Sequence, residues 1–321
     1  MRVIVLGGTR FIGRASVEEL AAKGHELLLV HRGELEPNDM PDAQHLHCDR
    51  VDLASHRQEL ARFRPDAALD CRALTRKDAE IALEAMPAVE RWVVISSIDV
   101  YRAFGALNDD RETDPVPLDE DSPVRSERYP YRGKLPDRHD YDKLDVEDVY
   151  LPRGATVLRL PMVYGERDYQ VREEFILRRV RAGRERIPFG AGCWLACRGY
   201  VGDVAGAVRL ALETSNASGV FNICEDRTYS MRLWAQMILD AADSRAKLVH
   251  VPDEALPEDL KVTGTVPQHI AASARKARER LGWTTADPFE TLRATVRWHL
   301  AHPPANAEQD FGADDRALAS V

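Results

Sequence analysis

The run Val3-Ile4-Val5-Leu6-Gly7-Gly8-Thr9-Arg10-Phe11-Ile12-Gly13 constrains this chain more than any other stretch. Residues 3–6 are apolar and mostly β-branched, which predicts a buried strand. Gly7 lets the chain leave that strand where a Cβ would clash, and Gly8 lets the backbone approach a ligand. From Phe11 to Ala22 apolar residues recur at helical spacing, so a helix N-terminus points back at the turn. Its free N–H groups and positive dipole end make a phosphate site. A second apolar strand, Glu26-Leu27-Leu28-Leu29-Val30, then arrives where a dinucleotide-binding βαβ unit needs it. Glycines also close ordinary surface turns, but the flanking strands and helix favour the nucleotide reading. Gly7, Gly8, Thr9, Arg10, Phe11, Ile12 and Gly13 are therefore the candidate cofactor-binding turn, with Arg10 standing where a further glycine would fit.

The alternation continues. Strands are predicted near 45–48, 67–71 and 92–96, with helices near 53–63 and 77–86 and short connections between them. That pattern implies an α/β fold with a doubly wound parallel sheet, whose ligands lie at the carboxyl ends of the strands. At the end of the second strand an enzyme preferring NAD places a carboxylate for the ribose hydroxyls. This chain has His31 and Arg32 there, and Arg10 could sit across from them. Cationic side chains suit the 2′-phosphate of NADP, so NADP is favoured over NAD, unless Arg32 simply begins a polar loop. Asp49 is placed to meet the adenine edge or to cap the next helix. His45 and His47 alternate along one strand with no evident third ligand, so no metal site is expected.

Composition narrows the class. The chain has 321 residues, of which 44% are hydrophobic and 30% charged, ordinary for a globular protein. No apolar run approaches the roughly 18 residues that span a bilayer. Met1 leads directly into the first strand, which leaves no room for a signal peptide. Five cysteines without regular spacing suit reduced thiols in a cytoplasmic setting. Cys193 and Cys197 lack the second pair a zinc site needs. A net charge of −9 argues against general nucleic-acid binding.

Four segments together resemble the extended or atypical short-chain dehydrogenases/reductases of the NAD(P)-dependent epimerase/dehydratase superfamily. Gly7-Gly8-Thr9-Arg10-Phe11-Ile12-Gly13 is similar to the Arg-containing version of its glycine motif. Ser96-Ser97-Ile98-Asp99-Val100-Tyr101 resembles a Ser-Ser-x-x-Val-Tyr segment. Val157-Leu158-Arg159-Leu160-Pro161-Met162-Val163-Tyr164-Gly165 resembles its Leu-Arg-x-x-x-Val-Tyr-Gly strand and turn, and Tyr200-Val201-Gly202-Asp203-Val204-Ala205 the segment that returns to the cofactor domain. The resemblance covers roughly residues 1–300 and implies a Rossmann-type sheet with a smaller C-terminal substrate lobe. On this reading residues 1–165 bind the dinucleotide with 199–224 returning to them, 166–198 and 225–303 form the substrate lobe, and 304–321 are a flexible tail.

The resemblance also implies site residues. The family carries Tyr-x-x-x-Lys on a helix, the tyrosine moving a proton and the lysine lowering its pKa and holding the nicotinamide ribose. Here Lys143 matches the lysine, but His139 stands four residues earlier. Tyr141 is two residues before Lys143, about 200° around a regular helix, and would face elsewhere. Three readings stay open. His139 replaces the tyrosine as acid/base; Tyr141 reaches in because the helix starts late; or another group serves, with Tyr129 and Tyr131 as loop candidates. Ser97 matches a hydroxyl that binds a substrate oxygen. Asp99 stands where related dehydratases often place Glu, able to take a proton beside a keto group, or else to cap the turn.

Residues 102–136 hold five prolines, Pro115, Pro117, Pro123, Pro130 and Pro136, and read as a long polar loop or a lid with no helix or strand. Residues 167–186, with Arg172, Arg178, Arg179, Arg181, Arg184 and Arg186, read as an amphipathic helix with a solvated basic face, suited to a substrate diphosphate. The implied function is hydride transfer on a sugar nucleotide or similar hydroxylated small molecule. The rivals are a cofactor-binding sensor or scaffold with little catalysis, and an RNA-binding relative of the chloroplast stem-loop-binding type. The expected partner is a small molecule, with no membrane and no nucleic acid, and a homodimer is left open.

Overall fold

Strand β1 (Arg2–Leu6) is buried almost throughout, and its side chains divide two cores. Val3 and Val5 point into one, with Leu27, Leu29 and Val93 from neighbouring strands. Ile4 and Leu6 point into the other, with Leu28, Val30 and Val94. This two-residue alternation, apolar on both faces, is what a sheet covered by helices on both sides requires.

The computed structural model describes residues 1–305 and 309–321. After β1 come α1 (Phe11–Ala22), β2 (Glu26–His31), β3 (Gln44–His47), a 3-10 turn (Arg50–His56) running into α2 (Arg57–Arg62), β4 (Ala67–Asp70), α3 (Arg76–Ala85) and β5 (Trp92–Ser97). Then follow α4 (Arg102–Ala106), α5 (Lys143–Tyr150), β6 (Thr156–Leu160), β7 (Met162–Tyr164), α6 (Glu174–Arg181), β8 (Arg186–Phe189) and β9 (Arg198–Tyr200). The chain ends through α7 (Val201–Glu213), β10 (Gly219–Asn222), α8 (Met231–Ala241), β11 (Lys247–His250), α9 (Arg275–Leu281), α10 (Pro288–Ala301) and α11 (Gly312–Leu318).

Seven strands form one parallel sheet in the order β10-β6-β5-β4-β1-β2-β3. The doubly wound parallel sheet implied by the sequence is thus the architecture. The order reverses between β1 and β4, and that reversal opens a crevice at their carboxyl ends. Helix α1 packs against α7 on one face. A third core, with Ile176, Phe189, Trp234, Ile238 and Leu292, lies among α6, β8, α8 and α10. No helix among the described residues is long and apolar enough to cross a membrane.

Three expectations are corrected. The proline-rich stretch is not structureless: α4 opens it, and Leu118 and Glu120 tie its middle to the body, Leu118 N donating to Ala271 O (2.7 Å) and Glu120 Oε1 accepting from Asn222 N (2.8 Å). The basic face of α6 is not solvated. Arg178 and Arg179 are buried, and Arg179 reaches Asp259 and Asp314, each at 2.7 Å. Finally, 312–318 form a docked helix rather than a frayed tail. Asp314 is fully buried on Arg179, and Ala317 and Leu318 are buried with it. The tail expectation for 306–308 lies outside the described residues.

Candidate active site

The glycine turn is built by close contact. Gly7 leaves β1 at φ +87°, a conformation in which a side chain is strained. A Cβ on Gly13 would lie 2.2 Å from the Gly7 carbonyl oxygen, and one on Gly8 would lie 2.8 Å from Val17. Glycine at 8 and 13 therefore lets α1 start directly on the turn. Arg10 precedes α1 in extended backbone and gives it no side-chain cap, and its first turn holds no acidic residue. By contrast Thr75, Asp142, Ser230 and Asp287 cap their helices. The first N–H groups of α1, with buried Thr9 and Phe11 and half-buried Ile12 around them, fit the pyrophosphate of a dinucleotide.

The end of β2 is more occupied than the sequence suggests. Arg10 is exposed, with its guanidinium 4.6 Å from the centre of the Tyr169 ring. Arg32 is exposed and pairs with Glu34 at 2.7 Å. Asp49 caps the 3-10 turn, accepting from Val51 N at 3.1 Å. His31 is buried at the end of β2 with Nε2 2.8 Å from His45 Nδ1. The expectation that His45 and His47 have no third ligand is corrected here. The fold brings His31 and Glu36 to them, because β2 and β3 run side by side and the loop between them folds back.

At the end of β5 the Ser97 hydroxyl accepts from Asp99 N at 3.1 Å. Asp99 does not cap that turn with its side chain. It is buried, and its Oδ2 accepts from Tyr141 Oη at 2.8 Å and from Tyr131 Oη at 3.2 Å. Asp99 Oδ1 is buried with no hydrogen-bond partner among the described residues. The two phenol rings lie with centroids 5.2 Å apart.

The start of α5 explains this meeting. Asp142 caps the helix, accepting from Leu144 N at 2.9 Å, so α5 begins at Lys143. Tyr141 therefore precedes the helix, and the 200° separation from Lys143 does not apply to it. Asp142 also forms a buried ion pair with Arg125 (2.8 Å) and accepts from Tyr129 N (2.7 Å). Arg125 Nε in turn donates to the Asp99 carbonyl at 2.8 Å. Together these bonds pin the loop bearing Tyr131 over Asp99.

His139 is a correction. It is exposed in the turn after Pro136–Arg138, with Nδ1 2.9 Å from Asp140 Oδ1, and has no part in the Asp99 cluster. Tyr129 lies apart as well, stacked by Arg132 at 3.9 Å. Tyr131, named from sequence only as an outside candidate, and Arg125 and Asp142, not named at all, are the residues sequence reasoning underrated. The one available signal was Asp142 as a helix cap directly before Lys143-Leu144.

Lys143 is buried, and its Nζ donates to Ala73 O at 2.6 Å and to Ile95 O at 2.8 Å. Burial lowers its pKa to about 8. Burial raises the Asp99 carboxyl above its usual value, against the opposing bonds and charges of Tyr141, Arg125 and Lys143. Burial and the charge of Asp99 push Tyr141 and Tyr131 well above 10. The phenols are thus proton donors that stay neutral, and the carboxylate beside them is the group able to accept a proton.

Residues 3–131 match the family described as the NAD dependent epimerase/dehydratase family. A chloroplast stem-loop binding protein of 41 kDa from Arabidopsis thaliana is 27% identical over 336 residues, 99% of this chain and 84% of that protein. The solved UDP-glucose 4-epimerase of Thermotoga maritima with UDP-glucose aligns with a TM-score of 0.69 at 22% identity, covering 93% of this chain and 98% of its own. That of Stenotrophomonas maltophila with bound NAD aligns at 0.73 and 19% identity, covering 94% and 98%. At these identities the solved structures establish the fold.

Proposed function

We propose that the chain, whose residues 3–131 match the model of the NAD dependent epimerase/dehydratase family, is an NAD(P)-dependent oxidoreductase acting on a sugar nucleotide or similar hydroxylated small molecule. The observation that carries this reading is the Asp99 carboxylate, buried beside Ser97 with one oxygen bonded by two phenols and the other without a partner among the described residues. The dinucleotide, when bound, supplies hydride transfer at a carbon bearing oxygen. The chain's own residues do the rest. The first turn of α1 binds the pyrophosphate, with Gly7, Gly8 and Gly13 allowing the approach. Ser97 orients the reacting oxygen. Asp99 takes a proton, from a hydroxyl or from the carbon beside a keto group, and Tyr141 and Tyr131 stabilise the carboxylate by donating to it. Lys143 holds α5 to the backbone after β4 and at the end of β5.

We propose NADP over NAD, because β2 ends in His31-Arg32 without the carboxylate that ribose hydroxyls prefer. Equal affinity for NAD and NADP, unchanged by Arg32→Ala, would overturn that preference. The reaction is tested by incubating the chain with UDP- and dTDP-hexoses plus either dinucleotide and following products by NMR. Conversion that disappears in Asp99→Asn is the expected result. Bound dinucleotide with no conversion of any sugar nucleotide, and no effect of Lys143→Ala, would favour the sensor reading instead. The likeness to a stem-loop binding protein over nearly the whole chain keeps an RNA reading in view. Against it stand the net charge of −9 and the arginines of α6 engaged with Asp259, Asp314 and Glu174. Salt-sensitive RNA binding would revive it.

A further inference from the structure

At the carboxyl edge of the sheet, apart from the Asp99 cluster, three histidines and a glutamate converge. Their convergence follows from strand geometry. His45 and His47 are two residues apart on β3, so both project from one face. His31 ends β2 and is paired in register with His47. The loop that follows turns at Gly33, with φ +77°, and returns Glu36 to the same face.

We propose that His31, Glu36, His45 and His47 form a binding site for one divalent transition-metal ion of the zinc class. Glu36 spans the two histidines of β3, with one carboxylate oxygen 3.1 Å from His45 Nδ1 and the other 3.0 Å from His47 Nε2. His31 Nε2 is 2.8 Å from His45 Nδ1, and all four donor atoms lie within 4.8 Å of one another. Tetrahedral zinc with bonds of about 2.0–2.1 Å needs donors roughly 3.4 Å apart, so small side-chain rotations suffice.

The donor set decides the class of ion. Three imidazole nitrogens and one carboxylate suit zinc and its neighbours, whereas magnesium and calcium ask for oxygen-rich shells. A metal-free role explains the cluster less well. The imidazoles crowd one another with ring centroids 4.8–6.0 Å apart, so protonating more than one sets like charges together. Nor is this an ordinary core arrangement, since His47 is half exposed at 52%.

Loading requires a tautomer shift at two histidines: His47 Nε2 donates to Glu36 Oε2 at 3.0 Å in the metal-free cluster, so its proton moves to Nδ1 on coordination, and His31 must shift likewise. Gly33 N donates to His31 Nδ1 at 3.2 Å, so in the metal-free cluster the proton of His31 sits on Nε2 and is donated to His45 Nδ1. Coordination through Nε2 moves that proton to Nδ1, and the Gly33 amide turns away in its surface loop. No proton is gained or lost overall.

The test uses the full chain stripped with a chelator and titrated with zinc alone, read by calorimetry and by metal analysis after dialysis. Wild type is expected to retain one zinc per chain and to melt at a higher temperature with it. The double variant His45→Ala/His47→Ala is expected to lose that retention. Glu36→Gln is expected to weaken binding by about 100-fold, the upper range for loss of even a supporting partner of a metal ligand. Asp99→Asn should retain zinc unchanged, which separates this site from the catalytic reading, and Cys193→Ser should do so too, which excludes the exposed thiol. Circular dichroism confirms that each variant is folded. Failure of wild type to retain zinc, equal binding by the folded double variant, or loss of zinc in Cys193→Ser would each overturn the proposal.

Discussion

Tyr141→Phe removes one hydroxyl and leaves the ring in place. The Tyr141 ring is 6% exposed, and phenylalanine keeps the same apolar burial. What disappears is the 2.8 Å bond to a buried carboxylate. Hydrogen bonds to charged groups contribute about 1.5–3 kcal/mol. The second donor, Tyr131 at 3.2 Å, remains, so the lower half of that range applies, and the variant should lose about 2 kcal/mol at neutral pH.

The pH dependence has a definite sign. Burial holds the Asp99 carboxyl above its usual pKa, and Tyr141 is the strongest of the groups that oppose this. Removing Tyr141 therefore lifts it further. For a carboxyl whose folded pKa exceeds its unfolded one, the stability it contributes is present at acidic pH and lost as pH rises through the folded pKa. The penalty of Tyr141→Phe should accordingly grow toward neutral pH and shrink in acid, as urea unfolding across that range would show. If Asp99 is the proton acceptor, the acidic limb of the turnover profile should also move to higher pH in Tyr141→Phe. Asp99→Asn should lower turnover by about 10²–10⁴-fold, or roughly 3–5 kcal/mol of barrier. His139→Ala should change stability by no more than about 0.5 kcal/mol and leave turnover intact. Turnover lost in His139→Ala and kept in Tyr141→Phe would refute the reasoning.

Three further perturbations probe other parts of the fold. Lys143 has its pKa lowered from 10.5 to about 8, so between those values the unfolded chain holds more protons and stability should rise with pH; Lys143→Met should flatten that rise in urea unfolding, and should cost about 1–3 kcal/mol for each of the two carbonyls it strips of a donor. Asp314→Ala removes two bonds of 2.7 Å from fully buried Arg179, which keeps Asp259; a loss of about 3 kcal/mol is expected, with earlier proteolytic release of the C-terminal helix. Gly13→Ala places a Cβ against the Gly7 carbonyl, so nicotinamide dinucleotide binding, followed by fluorescence, should fall sharply even where the protein still folds.

Residues close in sequence carry the local structure. The apolar run 3–6, the glycines at 7, 8 and 13 and the returning strand at 26–30 specify a parallel sheet entered by a tight glycine turn, because strand burial and glycine turns are read from neighbours along the chain. Ser97, Asp99 and Lys143 were legible for the same reason, each sitting in or beside a recognisable short segment. The tertiary structure decided the rest, because it depends on partners far apart in sequence. Asp259 and Asp314 turn the basic face of α6 into a buried ion-pair cluster, and Asp314 docks a tail that looked too polar to fold. The Arg125–Asp142 pair sets where α5 begins and thereby puts Tyr141 and Tyr131, rather than His139, on Asp99. The cluster of His31, Glu36, His45 and His47 exists only because two adjacent strands and their loop share one face. Periodicity identifies which face a side chain occupies, but only packing decides which distant charge or hydroxyl meets it there.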